Sequence, residues 1–321
     1  MRFIGIPLPP MHPSLDTLVI ACIVAALISF ILMIYFIVKF KFKSAILWLC
    51  LLLTSLGINA YGSHLKNPKN NYIDPITTNT MKTKKPIDFS SVLSARDNGE
   101  IAKALVMLTN KSDPGPTRNY YWNAGTAQIG NKVKNLDLGT VKFSHDTQGR
   151  PSLAVGKLTY DMWDESRGSR QGVPLNPPFW PKWNPKVAIT YALNDKTYHG
   201  YMCNRSHSIA DSLAGTASYT SADNFTIGTR PQNVGADQNG GMRMPESIAE
   251  KYWQSGKHGR NAYILYQVLP IYEKSERIPR GTIVDEKSSD GKLNYRFVAI
   301  NDAEGYTINY FTGNVKKSTQ K

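Results

Sequence analysis

The chain has 321 residues, 41% of them hydrophobic and 19% charged, with a formal net charge of +14 from 38 Lys and Arg against 24 Asp and Glu. Its length suits one large domain or two small ones. Of its three cysteines, Cys22 and Cys50 fall in long apolar runs, so the single Cys203 in the remainder excludes a disulfide there.

The first apolar run, 17–38, carries no charged residue, and a second uncharged run covers 44–63. Each is about the 20 residues that a helix needs to cross a hydrocarbon core. A cleaved signal peptide is the alternative for the first run, but its apolar stretch is long for that and a second run follows at once. A buried helix is the alternative for the second, which Gly57 and Asn59 weaken. The expectation is a two-span hairpin, with spans at about 17–38 and 45–62. The turn holds Lys39, Lys41 and Lys43, and cationic loops stay on the cytoplasmic side. A multi-pass protein of the cell membrane follows, with everything after about Gly62 outside the cell and the lipid bilayer as a partner. Residues 1–62 carry +3, leaving +11 for that exterior part. Such a surplus favours a polyanionic partner, and adhesion to anionic polymers or lipids fits the charge equally well.

Residues 63–95 are dominated by Asn, Lys, Pro and Thr, too little apolar surface to order a segment. They are expected to be a flexible linker before a domain at 96–321. Within it, 100–108 suits a short helix or strand, and 153–160 alternates as a half-buried strand does. The proline-rich stretch 163–186 is a long irregular segment, either a structural apron or a nucleic-acid contact through Arg167, Arg170 and Lys182. Strands at 187–193 and 197–202 flank an Asn194-Asp195 turn. A helix opens at Pro245, presents Ile248, Ala249, Tyr252 and Trp253, and stops at Gly256. Strands at 263–272 and 295–300 and a hairpin at 305–315 close the chain. The order is α+β with antiparallel pairing.

The chemistry concentrates after the first hairpin, in Asn204-Arg205-Ser206-His207 and then Asn224 and Asn233. A neutral His is a suitable base near pH 7. An Arg clamps phosphate oxygens with its planar fork. A hard cation such as Mg²⁺ takes oxygen ligands and keeps several waters, so one or two protein oxygens suffice. These are the parts that hydrolysis of a phosphodiester needs. Taken singly, His207 reads as a hydrogen-bonded structural histidine, Asn233 as a loop cap, and Glu246 as a first-turn carboxylate favoured by the helix dipole.

Residues 201–215, 224–233 and 244–252 together resemble the DNA/RNA non-specific endonuclease family of the ββα-metal (His-Me finger) type. The likeness is greatest to membrane-attached DNA-entry nucleases of Gram-positive bacteria. The family signature is Asp-Arg-Gly-His, where this chain has Asn204-Arg205-Ser206-His207. The spacing from Asn224 through Thr229 to Asn233 is similar to the segment that carries the family's metal-binding Asn. The resemblance implies His207 as general base, Arg205 as phosphate stabiliser, Asn224 as a supporting catalytic residue, Asn233 as direct metal ligand and Glu246 as a ligand through water. Arg243 and Arg230 are further candidates for phosphate contact. Asn204 in place of the family's Asp removes a carboxylate that would hold the metal's water shell.

The resulting expectation is a ββα-metal nuclease domain with a central antiparallel sheet behind the membrane hairpin. It would use Mg²⁺, with Mn²⁺ as the alternative, and cut DNA and RNA without sequence preference to leave 5′-phosphate and 3′-hydroxyl ends. DNA uptake or degradation is the implied use. A catalytically weak surface receptor for nucleic acid and an antibacterial nuclease toxin are the competing readings.

Overall fold

The structure, a computed structural model, describes residues 88–318 except Ser169, together with Val24. The chain divides between Lys84 and Lys85, and the predicted membrane hairpin, its lysine turn and most of the linker lie outside the described residues. No helix among the described residues is long and apolar enough to cross a membrane.

Ordered structure begins before the predicted end of the linker. Helix α1 (Ser90–Ser94) places Val92 and the following Ala95 in the core, so those two apolar residues end the linker earlier than 95. Helix α2 (Asn98–Asn110) is capped by Asp97, whose side chain accepts from Glu100 N at 2.9 Å, while Glu100 accepts from Arg96 N at 2.9 Å. This reciprocal arrangement satisfies two orphan donors. It turns Ile101, Leu105 and Leu108 inward.

There follow β1 (Tyr121–Gly125), α3 (Asn131–Lys134), β2 (Thr140–Lys142), β3 (Ala154–Thr159) and α4 (Tyr160–Glu165). Next come β4 (Lys186–Thr190), β5 (Thr197–Tyr201), β6 (Cys203–His207), α5 (Asp211–Ala214), β7 (Phe225–Thr229), α6 (Arg230–Val234) and α7 (Arg243–Gln254). The chain ends with β8 (Tyr263–Ile271), β9 (Gly281–Ser288), β10 (Asn294–Ile300) and the β11 (Tyr306–Ile308) and β12 (Val315–Lys317) pair.

Six strands form an antiparallel sheet in the order β1-β10-β9-β8-β3-β2. In β10, Val298 and Ile300 face the cluster under α2, while Phe297 and Ala299 face the cluster under α7. Alternate residues thus bury opposite faces, and helices cover both. Trp122, Val298 and Ile283 lie side by side on one face; Phe297, Val284, Val268 and Ala154 do so on the other. The α+β reading with a central antiparallel sheet holds.

The functional segment is a separate hairpin. Strand β6 pairs with β7 in the register Cys203↔Thr229 and His207↔Phe225, and α6 follows directly. The far end of the sheet fixes it. After β10, Asn301 accepts from Thr229 N at 2.8 Å and donates to Ile227 O at 3.0 Å and Pro279 O at 2.8 Å. Thr229 then caps α6, accepting from Gln232 N at 3.0 Å and donating to Asp302 O at 2.8 Å. Pro231 occupies the first turn of α6, where its missing N–H costs nothing.

The glycine-rich link from α6 to α7 packs against Asn119. Gly241 N donates to Asn119 O at 3.0 Å, and a Cβ on Gly240 would overlap that residue. Met242 N donates to Gln232 O at 2.7 Å, which ties the start of α7 to α6.

Candidate active site

An open cleft of about 480 Å³ lies beside the hairpin. Asn204 and Arg205 reach it from β6, Arg230 and Asn233 from α6, and Arg170 from the irregular segment before β4. Three arginines and no Asp or Glu line it among the described residues. Three cationic side chains are thus gathered in one concavity, where low-dielectric walls strengthen the field on an anion.

Arg205 is held for this position. Its Nε donates to Asn176 Oδ1 at 2.7 Å, and its guanidinium carbon sits 4.6 Å from the centroid of the Trp180 ring. The terminal nitrogens remain to fork a phosphate. Arg230 donates from Nη2 to Gln238 Oε1 at 2.8 Å. Asn204 and Asn233 make no side-chain hydrogen bond among the described residues, so both amides are open to the cleft.

His207 stands two residues beyond Arg205 on the same strand, just outside the cleft lining. Its ring packs 4.5 Å from Phe225 and 5.4 Å from Tyr219, centroid to centroid. Burial and then the charge of Arg170 push the imidazole down to about 4. Arg170 is therefore the side chain shared by the cleft and the histidine. Nε2 of His207 is buried without a hydrogen-bond partner among the described residues. Buried polar atoms are rarely left unpaired, and a neutral ring with a spare nitrogen is what a general base requires.

Asn224 acts on this histidine from behind rather than on a ligand. It is fully buried; Oδ1 accepts from Ile209 N, and Nδ2 donates to Ile209 O and Ser218 O, all within 2.9 Å. Its main-chain oxygen also accepts from Ser208 N at 2.7 Å. Asn224, expected as a supporting catalytic residue, thus spends every polar group of its side chain on the main chain of Ile209 and Ser218.

Arg243, expected as a further phosphate contact, has its guanidinium paired within its own helix. Its Nη1 and Nη2 each lie 2.6 Å from an oxygen of Glu250, and Nη1 is 3.3 Å from Glu246 Oε2. The fork is filled by carboxylates. Glu246 sits in the first turn of α7 and does not line the cleft; burial pushes its carboxyl up to about 7 despite Arg243 beside it. Cys203 is a buried free thiol at the cleft base, pushed up to about 11 by burial.

Sequence reasoning left Arg170 undecided between apron and contact, and it missed Trp180 and Asn176 as the seat of Arg205. The signal was present in a proline-rich loop that carries Trp and Arg, but nothing in its spacing tied it to β6.

Comparisons with known proteins bear on the fold. No family model matches the chain. A deoxyribonuclease of Streptococcus dysgalactiae subsp. equisimilis is 28% identical over 226 residues, covering 61% of this chain and 65% of that protein. The chain therefore spans just under two thirds of the relative's length. The structure of Sda1 nuclease with bound zinc ion superposes with a TM-score of 0.53 at 26% identity, covering 63% of this chain and 98% of that one. Metal-free NucA from Streptococcus agalactiae does so with a TM-score of 0.50 at 22% identity, covering 70% and 99%. The fold is the one these nucleases have. The resemblance read from residues 204–207 and 224–233 leads to the same group of proteins.

The donor set fits a hard divalent cation of a particular kind. No group of three or more His, Cys, Asp and Glu that could hold a metal occurs among the described residues, so there is no closed cage. Asn233, with Asn204 beside the same cleft, offers neutral oxygens instead. That suits an ion which keeps much of its water and completes its shell from a substrate phosphate.

Proposed function

We propose that this chain is a metal-dependent endonuclease that hydrolyses DNA, and RNA, without reading sequence. The observation that carries the reading is the placement of a neutral His207, its Nε2 buried without a partner, on the strand that delivers Arg205 to a cleft lined by three arginines and no acid, among the described residues. Two relatives above 25% identity, one named a deoxyribonuclease and the other a nuclease with bound zinc, support it.

In this reading a phosphodiester enters the cleft with its non-bridging oxygens against Arg205 and Arg230. His207 accepts the proton of a water attacking phosphorus as the bond to O3′ breaks, leaving 5′-phosphate and 3′-hydroxyl ends. Asn233 would hold the cation, which when bound acidifies water and neutralises phosphate charge. Backbone phosphates carry no sequence information directly, which accounts for the absence of base readout.

We further propose that the domain is held outside the cell by the hairpin of residues 1–62, on the strength of the two uncharged runs and the three lysines between them. DNA uptake or degradation fits that location. The second reading, a receptor that binds without turnover, is favoured by Asn204, which leaves the cleft with no carboxylate. Incubating the chain with plasmid DNA in Mg²⁺, and in EDTA, separates the two. Cleavage that needs the metal and is lost in His207→Ala supports the enzyme, whereas binding with no cleavage supports the receptor.

A further inference from the structure

The cleft carries more than phosphate ligands. Trp180, Tyr198 and Tyr201 line the same wall as the three arginines. Trp180 and Tyr198 are half-buried and anchored along the core cluster under α2, while Tyr201 at the end of β5 is 53% exposed. Tyr198 is fixed further by its hydroxyl, which donates to Tyr201 O at 3.1 Å.

Each ring has its own cation. Arg205 lies 4.6 Å from the centroid of Trp180, Arg230 lies 5.4 Å from Tyr198, and Lys186 lies 5.5 Å from Tyr201. All three are within cation–π range. Three rings and two of their cations, Arg205 and Arg230, thus line one cleft, with Lys186 beside Tyr201 outside that lining.

A site made for duplex alone has no use for these rings. In a duplex the base faces are stacked on one another and closed to side chains, so only phosphate, sugar and groove edges can be touched. Unpaired bases offer their faces, and proteins that hold single strands combine a cationic groove with aromatic platforms. Anionic lipid or a simple polyanion would take the charges and leave the aromatic wall unexplained.

We infer that this cleft selects unpaired nucleotides, stacking bases on Tyr201, Tyr198 and Trp180 while the paired cations take the intervening phosphates. The inference rests on the nucleic-acid reading of the site proposed above and adds the form of the substrate: single-stranded or locally melted strands bind in preference to intact duplex. Tyr201 is the specificity-determining residue best suited to test, because its exposed ring contributes little to the core.

The test is fluorescence anisotropy of the full chain carrying His207→Ala, in Mg²⁺ and again in EDTA, at one fixed salt concentration. Three labelled probes are compared: oligothymidylate, an abasic strand with the same number of phosphates, and a blunt hairpin duplex. Oligothymidylate is expected to bind about fivefold or more tighter than either other probe, since stacking of even one base is worth that much. Adding Tyr201→Ala is expected to remove about fivefold from oligothymidylate with less than twofold change for the abasic strand, and Tyr201→Phe to restore the difference. Equal binding of oligothymidylate and the abasic strand overturns the inference, as does no binding of oligothymidylate, or a Tyr201→Ala effect equal on all three probes. Plasmid hydrolysis by the unmodified chain in Mg²⁺ is read alongside. Base-dependent binding with no hydrolysis removes the nuclease reading and leaves the stacking wall, while hydrolysis with equal binding of the first two probes does the reverse.

Discussion

Asn224 holds Ile209 at both its amide and its carbonyl, accepting from the nitrogen at 2.8 Å and donating to the oxygen at 2.9 Å. Ile209 is two residues past His207, so this clamp sets the turn on which the histidine leaves its strand. Replacing Asn224 with Ala strands buried donors and acceptors, each costing roughly 1–3 kcal/mol. The expected loss of stability is about 3 kcal/mol or more by urea denaturation. Asn224→Asp keeps the acceptor but loses both donors and brings a charge into the interior, so it is expected to destabilise as well.

His207→Ala is expected to lower plasmid hydrolysis by about 10²- to 10⁴-fold, the usual contribution of a general base. Affinity for DNA in EDTA should stay within a few-fold of the unmodified chain, because the side chain lies outside the cleft lining. Retained hydrolysis would remove this residue from the mechanism.

The pH behaviour of His207 has a definite sign. Burial and Arg170 push its folded value to about 4 from an ordinary 6.5. The folded state therefore binds fewer protons than the unfolded one between those values. Its contribution to stability is full above pH 6.5 and is lost as the pH falls towards 4. The acid limb of kcat/KM should likewise fall near pH 4 rather than near 6.5. NMR titration of the His207 ring protons checks the first point and a pH–rate profile the second. A ring that titrates at 6.5 would contradict both.

Arg243 is expected to matter for folding rather than for DNA. Arg243→Met leaves Glu246 and Glu250 facing each other without their cation; the cluster is part-buried, with Arg243 32% exposed, so losing its charged hydrogen bonds costs roughly 1–3 kcal/mol. A lowered melting temperature is expected. The salt dependence of DNA binding, which counts phosphate contacts, should not change; a shallower slope would return Arg243 to the phosphate.

Asn204→Asp supplies a carboxylate to a cleft that has none. Ligands in the outer shell of a metal commonly change its affinity by about 10- to 100-fold. The Mg²⁺ concentration that gives half-maximal cleavage should therefore fall by about tenfold, and unchanged metal dependence would show that position 204 does not face the ion's water.

Much of this architecture was legible where the pattern was local. Strand β8 falls almost where its run of large apolar residues placed it, and α7 buries Ala249, Tyr252 and Trp253 as its spacing required. Strand β9 was not, although it lies between β8 and β10 in the sheet. Its Asp285 and Glu286 look like solvent-facing positions, yet both are buried. Asp285 pairs with Arg296 on β10 at 3.1 Å, a partner eleven residues away that no local pattern announces. Glu286 has no partner for either oxygen among the described residues, and burial pushes its carboxyl well up. The site divides in the same way. Asn204, Arg205, Arg230 and Asn233 stood in the sequence and share one cleft, whereas the burial of Asn224 depends on tertiary contacts; the carboxylates that fill Arg243 stand three and seven residues along its own helix and could have been read from that spacing.

Asn301 belongs to the loop after β10, yet it grips Thr229 and Ile227 some 72 and 74 residues earlier. Synthesis proceeds from the amino end, so the strand bearing His207 emerges long before the side chain that secures its partner. A chain released before residue 301 would carry every group named for the chemistry and still lack the tie that docks the hairpin to the sheet. Premature termination should therefore yield an inert product.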